Sequence, residues 1–340
     1  MKNINSLTLR EKIASIFMFH VPGKDANVFA DFVSKYRPAG IILMEDNIPA
    51  KSSELKRITS AIQQGSLPLP LLIAIDQEGG IVKRIKNDKF LAASDLRNKD
   101  PNETSNAFKG RSFMLNKLGI NFNFGIVADV TINEDSFIYG RVFGSDPKLV
   151  GEHVKAALRG SKKLIFSTLK HFPGHGATAL DSHATIPLVK LPKGDWLKKD
   201  FLPFRMGIDQ GTEAIMFGHL IYKDVDDKPA SLSLKWHFFL CKEIGYKGIT
   251  VTDDMIMLQM SGKRKYRDPI ENAISAINAG NDIILFVNDY SKEPIRQINI
   301  DRLMSGVEAA VKAGNINEDL LNLAVKRVIQ HRKKIKTLKI

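Results

Sequence analysis

A short segment in the middle of the chain concentrates residue types that could carry acid–base chemistry. Residues 170–176 read KHFPGHG, and Asp181 and His183 follow within the sequence DSH. Histidine titrates near neutral pH, and a neighbouring carboxylate orients its ring and stabilises the imidazolium form. The pair Asp181 and His183 is therefore suited to general acid and base catalysis. An Asp-x-His pair can equally lie on a surface without a role, so the pair alone leaves the function open.

Asp253 is a candidate nucleophile. It directly follows the apolar run 248–251 and Thr252, so its carboxylate would stand at the tip of a strand. A rigid strand tip suits a nucleophile, because fixed positioning lowers the entropic part of the activation barrier. The alternative is that Asp253 or Asp254 caps a helix that begins near Met255. Position alone does not separate the two interpretations.

Three basic residues could hold a substrate. Lys170, Arg84 and Arg141 offer cationic donors for hydroxyl, carbonyl or carboxylate groups. Arg141 lies in a turn-rich segment, residues 140–147. Each of the three, taken singly, is more commonly a solvated or salt-bridged side chain than a ligand, so their interpretation depends on what lies near them.

The histidines also raise the question of a metal. His171 and His175 are four residues apart, as in a zinc-binding helix. Pro173 and Gly174 lie between them and would break the helix that this spacing requires, and no Glu follows His171. The chain has no phosphate-loop spacing and no G-x-G-x-x-G after a strand. The sequence therefore predicts no metal and no cofactor, with a metal-dependent barrel hydrolase as a rival.

Eight short, mostly apolar runs alternate with helical stretches. They are residues 13–19, 40–43, 71–75, 120–130, 164–169, 214–217, 248–251 and 282–286. Apolar strands separated by helices are typical of parallel strands that are buried on both faces. No Pro-, Ser- or Gly-rich linker divides the 340 residues. The pattern predicts an α/β fold with one (β/α)8 TIM-type barrel domain over residues 1–340, and a doubly wound sheet is the alternative.

Polar residues follow several of these runs. Asp76 follows the third run, Lys170 and His171 the fifth, His219 the sixth and Asp253 the seventh. The carboxyl ends of barrel strands share one rim, where the active sites of such barrels lie. We therefore expect these side chains to converge on one pocket.

Composition excludes several classes of protein. An apolar fraction of 44% and a charged fraction of 26% are those of a globular protein. Cys241 is the single cysteine, which excludes an intrachain disulfide and suits the cytoplasm. Residues 1–11 contain no apolar signal core, and the run 13–19 is too short to span a bilayer.

The net charge of +13 is spread along the chain, so it predicts no nucleic-acid or membrane partner. The densest basic cluster lies within residues 326–334, beside an apolar helical stripe. We expect it to form the solvated face of a helix, with an anionic substrate or surface as the alternative.

Taken together, the motifs resemble those of bacterial exo-β-N-acetylglucosaminidases of glycoside hydrolase family 3, enzymes of cell-wall recycling. The similar segments are KHFPGHG with the later DSH, DQEGG at 76–80, RVFGSDP at 141–147, TDD at 252–254, and the stretch 216–233. They occur in the family's order, and the resemblance covers about residues 7–335.

The resemblance implies a retaining glycosidase that works by double displacement. Asp253 would attack the anomeric carbon, while His183, partnered by Asp181, would protonate the leaving oxygen and later activate water. The implied ligands of the terminal N-acetylglucosamine are Asp76, Arg84, Arg141, Lys170 and His171. The implied substrate is a carbohydrate, either a muropeptide or another glycan that ends in N-acetylglucosamine, and no cofactor or metal is implied.

The chain departs from the family pattern directly after DQEGG. Ile81 stands where the family usually has arginine, and Arg84 matches the family's second arginine. Some members carry a second C-terminal domain, for which 340 residues leave no room. Transfer of the sugar to phosphate instead of water stays open, and a broader β-glucosidase-like exo-glycosidase is an alternative that would share the barrel and Asp253.

Overall fold

The computed structural model describes residues 6–66, 68–288 and 297–339, so only part of the N-terminal segment 1–11 lies within it. The strands of these ranges are β1 (Phe17–His20), β2 (Gly40–Leu43), β3 (Leu72–Ile75), β4 (Gln77–Gly79), β5 (Val82–Lys83), β6 (Phe122–Val127), β7 (Phe166–Phe172), β8 (Leu188–Val189), β9 (Ala214–Phe217), β10 (Ile221–Tyr222), β11 (Ile249–Thr252) and β12 (Ile284–Phe286).

The helices alternate with these strands. They are α1 (Leu9–Ala14), α2 (Ala26–Tyr36), α3 (Ser52–Gly65), α4 (Ala93–Leu96), α5 (Pro101–Lys117), α6 (Pro147–Ser161), α7 (Lys193–Lys198), α8 (Phe201–Asp209), α9 (Leu234–Phe238), α10 (Ile256–Met260), α11 (Pro269–Ala279), α12 (Ile300–Lys312) and α13 (Glu318–Lys334).

Eight of the strands form one parallel sheet in the order β11-β9-β7-β6-β3-β2-β1-β12. Its two end strands meet, because Val251 of β11 pairs in parallel with Ile283 just before β12. The amide of Ile283 donates to Thr250 O at 2.9 Å, and the amide of Thr252 donates to Ile283 O at 3.0 Å. The sheet is thus a nearly closed barrel, which confirms the predicted (β/α)8 fold and excludes an open doubly wound sheet.

Several predicted strand bounds differ from the structure, including those of the first and fifth runs. The run 13–19 contains the end of α1, and its strand begins only at Phe17. Thr8 and Glu11 form a reciprocal capping box that starts α1, so helix formation takes the first residues of the run. At the other place, β7 continues to Phe172, which puts Lys170 and His171 inside the strand.

Three of the outer helices begin with the same dipeptide, Asp-Pro. The carboxylates of Asp100, Asp146 and Asp268 each accept the backbone N–H two residues later, at the start of α5, α6 and α11. Proline at the first helical position has no N–H that would need a partner. These local signals place the helices that pack around the barrel.

The barrel interior is filled by side chains from its own strands. One buried cluster contains Met18, Ile42, Leu72, Ala74, Phe122, Phe124, Phe166, Ala214, Met216, Ile249, Val251, Ile283 and Leu285. Successive strand residues point to opposite faces, so the alternate residues pack against the surrounding helices. Because side chains fill the interior, a binding site on such a barrel is expected at its end, where the loops begin.

The last helix confirms the expected solvated face for Lys326, Lys333 and Lys334, which are exposed, but corrects it for the two arginines. Arg332 is buried, and its guanidinium donates to Pro70 O at 2.8 Å and to Leu69 O at 3.0 Å. Arg327 pairs with the buried Asp282 at 3.1 Å. These arginines face the amino-terminal end of the barrel because carbonyl groups and a buried carboxylate there need donors.

Among the helices of the described ranges, none has both the length and the apolar character that crossing a bilayer requires.

Candidate active site

A cavity of about 410 Å³ opens at the carboxyl ends of the barrel strands. Seven of the eight predicted site residues line it: Asp76, Arg84, Arg141, Lys170, His171, His183 and Asp253. The eighth, Asp181, is hydrogen-bonded to His183. Residues that are up to 177 positions apart in the sequence therefore share one site because their strands end at the same rim.

Lys170 lies at the centre of the polar wall. Its Nζ is 2.9 Å from Asp76 Oδ1 and 2.7 Å from Glu78 Oε1, and the side chain is buried. Burial favours the neutral amine, but the two carboxylates outweigh it and raise the pKa of Lys170. Burial likewise opposes ionisation of Asp76, yet Lys170 and Arg84 keep its pKa lowered. Lys170 is thus a fixed cation beside ionised acids.

Glu78 and Arg141 form a buried two-pronged ion pair. Arg141 Nε donates to Glu78 Oε2 at 2.9 Å, and Nη2 donates to Oε1 at 2.7 Å. Burial would raise the pKa of Glu78, but Arg141 and Lys170 outweigh it and lower the pKa to about 2. Glu78 therefore holds no proton at neutral pH and cannot act there as a general acid. Its chemical contribution is to hold two cations in place.

Asp129 fixes the tautomer of His171. The fully buried carboxylate lies 2.8 Å from His171 Nδ1 and accepts the backbone N–H of His171 at 3.2 Å and of His175 at 2.6 Å. Burial alone would raise the pKa of Asp129, but His171 outweighs it and the pKa is lowered. Since an ionised carboxylate only accepts, Nδ1 carries the proton. His171 Nε2 lies 3.3 Å from Arg141 Nη2, and His171 lines the cavity.

The turn after β7 is held by side chains that donate hydrogen bonds to its backbone oxygens. Pro173 O accepts from Trp196 Nε1 at 2.7 Å, and Gly174 O accepts from the Tyr222 hydroxyl at 2.6 Å. Gly174 has a φ of 131°, and a Cβ there would lie 2.9 Å from Cβ of Asp200. Both the backbone angle and the space demand glycine at this position.

His183 and Asp181 form a dyad on the loop between β7 and β8, residues 173–187, here called the acid/base loop. Asp181 Oδ1 lies 2.8 Å from His183 Nδ1 and also accepts the backbone N–H of His183 at 2.8 Å. Partial burial would raise the pKa of Asp181, but the hydrogen bonds from His183 outweigh it and lower the pKa. With Nδ1 bound to the carboxylate, Nε2 is the atom left to exchange a proton.

Asp253 directly follows β11 and lines the cavity. Its backbone N–H donates to Phe217 O at 2.9 Å, and its Oδ1 accepts from the amide of Asp254 at 2.8 Å. Burial would raise the pKa of Asp253, but His171, His219 and His183 outweigh it and the pKa is lowered. An ionised carboxylate on a strand tip can act as a nucleophile.

Asp254 takes the structural role that the sequence left open between the two aspartates. Its Oδ1 accepts the amides of Ile256 at 3.1 Å and Val287 at 2.9 Å, so it contacts both the start of α10 and the end of β12. Its carbonyl oxygen lies 2.9 Å from Nε2 of the buried His219. Asp254 is thus bound by backbone amides from two elements, although the residue directly before α10 is Met255, and both Asp253 and Asp254 line the cavity.

Comparison with known proteins agrees with this geometry. Residues 8–331 match the Glycosyl hydrolase family 3 N terminal domain. The chain belongs to glycoside hydrolase family 3. This family 3 chain is 33% identical over 265 residues to a Beta-hexosaminidase of Methylobacillus flagellatus, with 74% of each protein covered. The family that the motifs predicted, glycoside hydrolase family 3, is confirmed.

Solved structures of relatives have the same fold. A glycoside hydrolase family 3 beta-N-acetylglucosaminidase from Paenibacillus sp. superposes with a TM-score of 0.86 at 30% identity, over 97% of this chain and 64% of that one. A family 3 glycosyl hydrolase from Mycobacterium smegmatis superposes with a TM-score of 0.84 at 27% identity, over 97% and 98%. The family 3 chain thus spans less than two thirds of the Paenibacillus protein but nearly all of the mycobacterial one.

The structure adds three residues that sequence reasoning did not select. Glu78 lies inside the DQEGG motif, Asp129 is the last residue but one of the run 120–130, and Phe137 precedes Arg141 by four residues. Asp129 lies just beyond the end of β6, so its place near a strand tip was a signal in the sequence. Glu78 and Phe137 carry no such signal, because their importance depends on the side chains that the family 3 fold brings beside them.

No group of three or more histidine, cysteine or carboxylate side chains is placed to hold a metal ion in residues 6–66, 68–288 and 297–339. His171, the central candidate, is engaged by Asp129 and lies next to Arg141. A guanidinium beside an imidazole disfavours a second cation there. The donor set of this family 3 site does not fit the rival metal-dependent hydrolase.

Proposed function

We propose that this chain is a retaining exo-β-N-acetylglucosaminidase that releases terminal β-linked N-acetylglucosamine from a muropeptide or a similar glycan. The observation that carries the proposal is that an ionised Asp253 borders the same cavity as the dyad-bearing His183. The names of the relatives, Beta-hexosaminidase and beta-N-acetylglucosaminidase, favour this substrate class over a β-glucoside.

In the first step, an Asp253 carboxylate oxygen attacks the anomeric carbon. The bond from that carbon to the leaving oxygen breaks, and the proton on Nε2 of the His183 imidazolium moves to the departing oxygen. Asp181 stabilises the imidazolium through its 2.8 Å contact with Nδ1. The product is a glycosyl ester on Asp253 with His183 neutral.

In the second step, water attacks the same carbon from the face that the leaving group vacated. Neutral His183 takes the proton from this water, and the ester bond to Asp253 breaks. Two inversions at one carbon give net retention of configuration. The enzyme returns to its starting protonation, with a carboxylate at Asp253 and an imidazolium at His183.

The polar wall would hold the sugar in place. Asp76 accepts hydrogen bonds, Lys170 and Arg141 donate them, and His171 presents Nε2. Arg84 lies 3.4 Å from Asp76 and orients its carboxylate. Because each of these groups is already fixed by a partner, binding hydroxyls costs little further side-chain entropy.

The proposal extends to the setting of the enzyme. We propose that residues 1–340 form one catalytic domain that needs no metal or other cofactor and acts in the cytoplasm. The single Cys241 suits a reducing compartment, and the net charge of +13 suits a substrate whose peptide carries carboxylates.

Trapping with a mechanism-based fluorinated N-acetylglucosaminyl fluoride tests the nucleophile. We expect mass spectrometry of the peptides to find one sugar on Asp253, and Asp253→Ala to remain unlabelled. Asp135→Asn, at an exposed carboxylate of a rim loop, should label at the wild-type rate. A label on Asp254 would reassign the nucleophile, and a label on neither aspartate would overturn the double-displacement scheme. Faster hydrolysis of aryl β-glucosides than of aryl β-N-acetylglucosaminides would overturn the substrate class.

A further inference from the structure

The acid/base loop is docked on the loop between β6 and α6, residues 128–146, here called the docking loop. A Cβ on Gly176 would collide with the carbonyl oxygen of Val130, so the two backbones are in close contact there. Two residues further on, the hydroxyl of Ser136 donates to Thr178 O at 3.1 Å. The position of His183 is therefore set partly by a segment that carries no residue of the dyad.

Phe137 of the docking loop contacts His183 directly. The two ring centroids are 5.6 Å apart with the planes at 77°, an edge-to-face arrangement. The same phenyl ring meets His175 at 5.1 Å and 64°, and the Arg141 guanidinium carbon lies 5.2 Å from its centroid. Phe137 also lines the cavity. It thus contacts both the dyad and a cation of the sugar-binding wall.

The dyad needs a second support. His183 is 58% exposed and Asp181 43% exposed, and Asp181 holds only the Nδ1 side of the ring. A ring held at one atom can still swing about that hydrogen bond, which would move Nε2 away from the scissile oxygen. An edge-to-face contact restricts this motion because aromatic pairs prefer defined angles and distances.

We propose that Phe137 is the positioning residue for the acid/base histidine, holding the His183 ring over the cavity through edge-to-face contact. The inference depends on the proposed function, in which His183 donates a proton to the leaving oxygen. Arg141 and His175, which also contact the phenyl ring, help to keep Phe137 in place. Through Phe137, the geometry of the sugar-binding wall is coupled to that of the acid.

Leaving-group dependence separates positioning from mere packing. An activated 2,4-dinitrophenyl N-acetylglucosaminide departs without proton donation, whereas a methyl N-acetylglucosaminide requires it. We expect Phe137→Leu to lower kcat/KM for the methyl glycoside by roughly 3- to 10-fold more than for the activated one. Phe137→Tyr keeps the ring and should restore the wild-type ratio.

A control and a second test variant make the experiment specific. Ile132→Ala alters a 77% exposed apolar residue of the same docking loop and should leave both substrates unchanged. Ser136→Ala removes the hydrogen bond to Thr178 and should change the ratio in the same direction as Phe137→Leu. This second variant keeps the inference testable if Phe137→Leu does not fold.

His183→Ala serves as the reference that distinguishes the two proposals. If this variant loses equal kcat/KM on the methyl and the activated glycoside, the acid role of His183 in the proposed function fails. If it shows selectivity while Phe137→Leu and Ser136→Ala lower both rates equally, only the positioning role of Phe137 is overturned. A rise in KM for aryl substrates alone, with kcat unchanged, would also overturn it and make Phe137 a stacking surface for the leaving group.

Discussion

Lys170 Nζ lies 2.7 Å from Glu78 Oε1, and both side chains are buried. Glu78 also binds Arg141, while Lys170 also binds Asp76, so four charges alternate in sign along the wall of the cavity. Buried charges are tolerated when each has an opposite partner, and removal of one leaves another uncompensated. These four residues of the cavity wall are therefore a single electrostatic unit.

The first prediction concerns Glu78→Gln. Loss of this charge removes the carboxylate that Arg141 and Lys170 share, so we expect the free energy of unfolding to fall by about 3–5 kcal/mol. The KM should rise because both cations lose their fixed positions. Denaturant unfolding and substrate titration measure the two effects.

Glu45→Gln is the matched control, since Glu45 pairs with Lys86 at an exposed position. It should leave unfolding and KM unchanged because solvent screens that pair. Equal behaviour of the two variants would contradict the view of the wall as one unit.

The second prediction concerns Asp129→Asn. The amide has the size of the carboxylate but replaces one of its two acceptor oxygens by NH₂, so it cannot satisfy all three N–H donors, which are the ring of His171 and the backbones of His171 and His175. We expect a loss of stability of about 2–3 kcal/mol and a fall in kcat of at least tenfold, because His171 loses its fixed tautomer. Thermal unfolding and initial rates are the measurements. Asp135→Asn, an exposed change in the docking loop, should affect neither.

The third prediction concerns Asp181→Asn. The pKa of Asp181 is lowered, so at neutral pH the carboxylate is charged. Without that charge, His183 Nδ1 loses its ionised partner, so we expect kcat/KM on a poor leaving group to fall by roughly tenfold more than on an activated one. Rates on methyl and 2,4-dinitrophenyl N-acetylglucosaminides measure this difference. Equal losses on the two substrates would mean that Asp181 does not support proton transfer by His183.

The fourth prediction concerns Asp200→Asn. Asp200 is buried beside Gly174, and neither carboxylate oxygen has a hydrogen-bond partner among the described residues. Burial raises its pKa from 3.8 to about 7. The folded protein therefore keeps a proton that the unfolded chain loses above pH 4. The contribution of Asp200 to the free energy of unfolding is fully present below pH 4. It falls by about 1.4 kcal/mol per pH unit until pH 7.

Asn has no proton to lose, so Asp200→Asn should gain stability over wild type as pH rises from 4 to 7. At pH 4 the two proteins should unfold at similar denaturant concentrations. Asp195→Asn, an exposed change on α7, provides the comparison and should follow wild type throughout. A constant offset between Asp200→Asn and wild type at all pH values would contradict the raised pKa.

Much of the architecture was predictable because its causes are local. Apolar runs of strand length depend on periodicity, and the break in any helix after His171 depends on Pro173 and Gly174, so both follow from a few neighbouring residues. Strand tips also predicted which side chains share a rim, because parallel barrel strands all end on one side. The sequence by itself thus determined the barrel, its family and the neighbourhood of the site.

Pairing between distant side chains was decided by the tertiary structure. Glu78 meets Arg141 across 63 positions, and Asp129 meets His171 across 42. Only the folded chain shows that Asp254 binds the amides of Ile256 and Val287, and that Arg332 binds backbone carbonyl groups. The physical reason is that Coulomb and hydrogen-bond energies depend on separation in space over a few ångströms, which spacing along a chain does not specify.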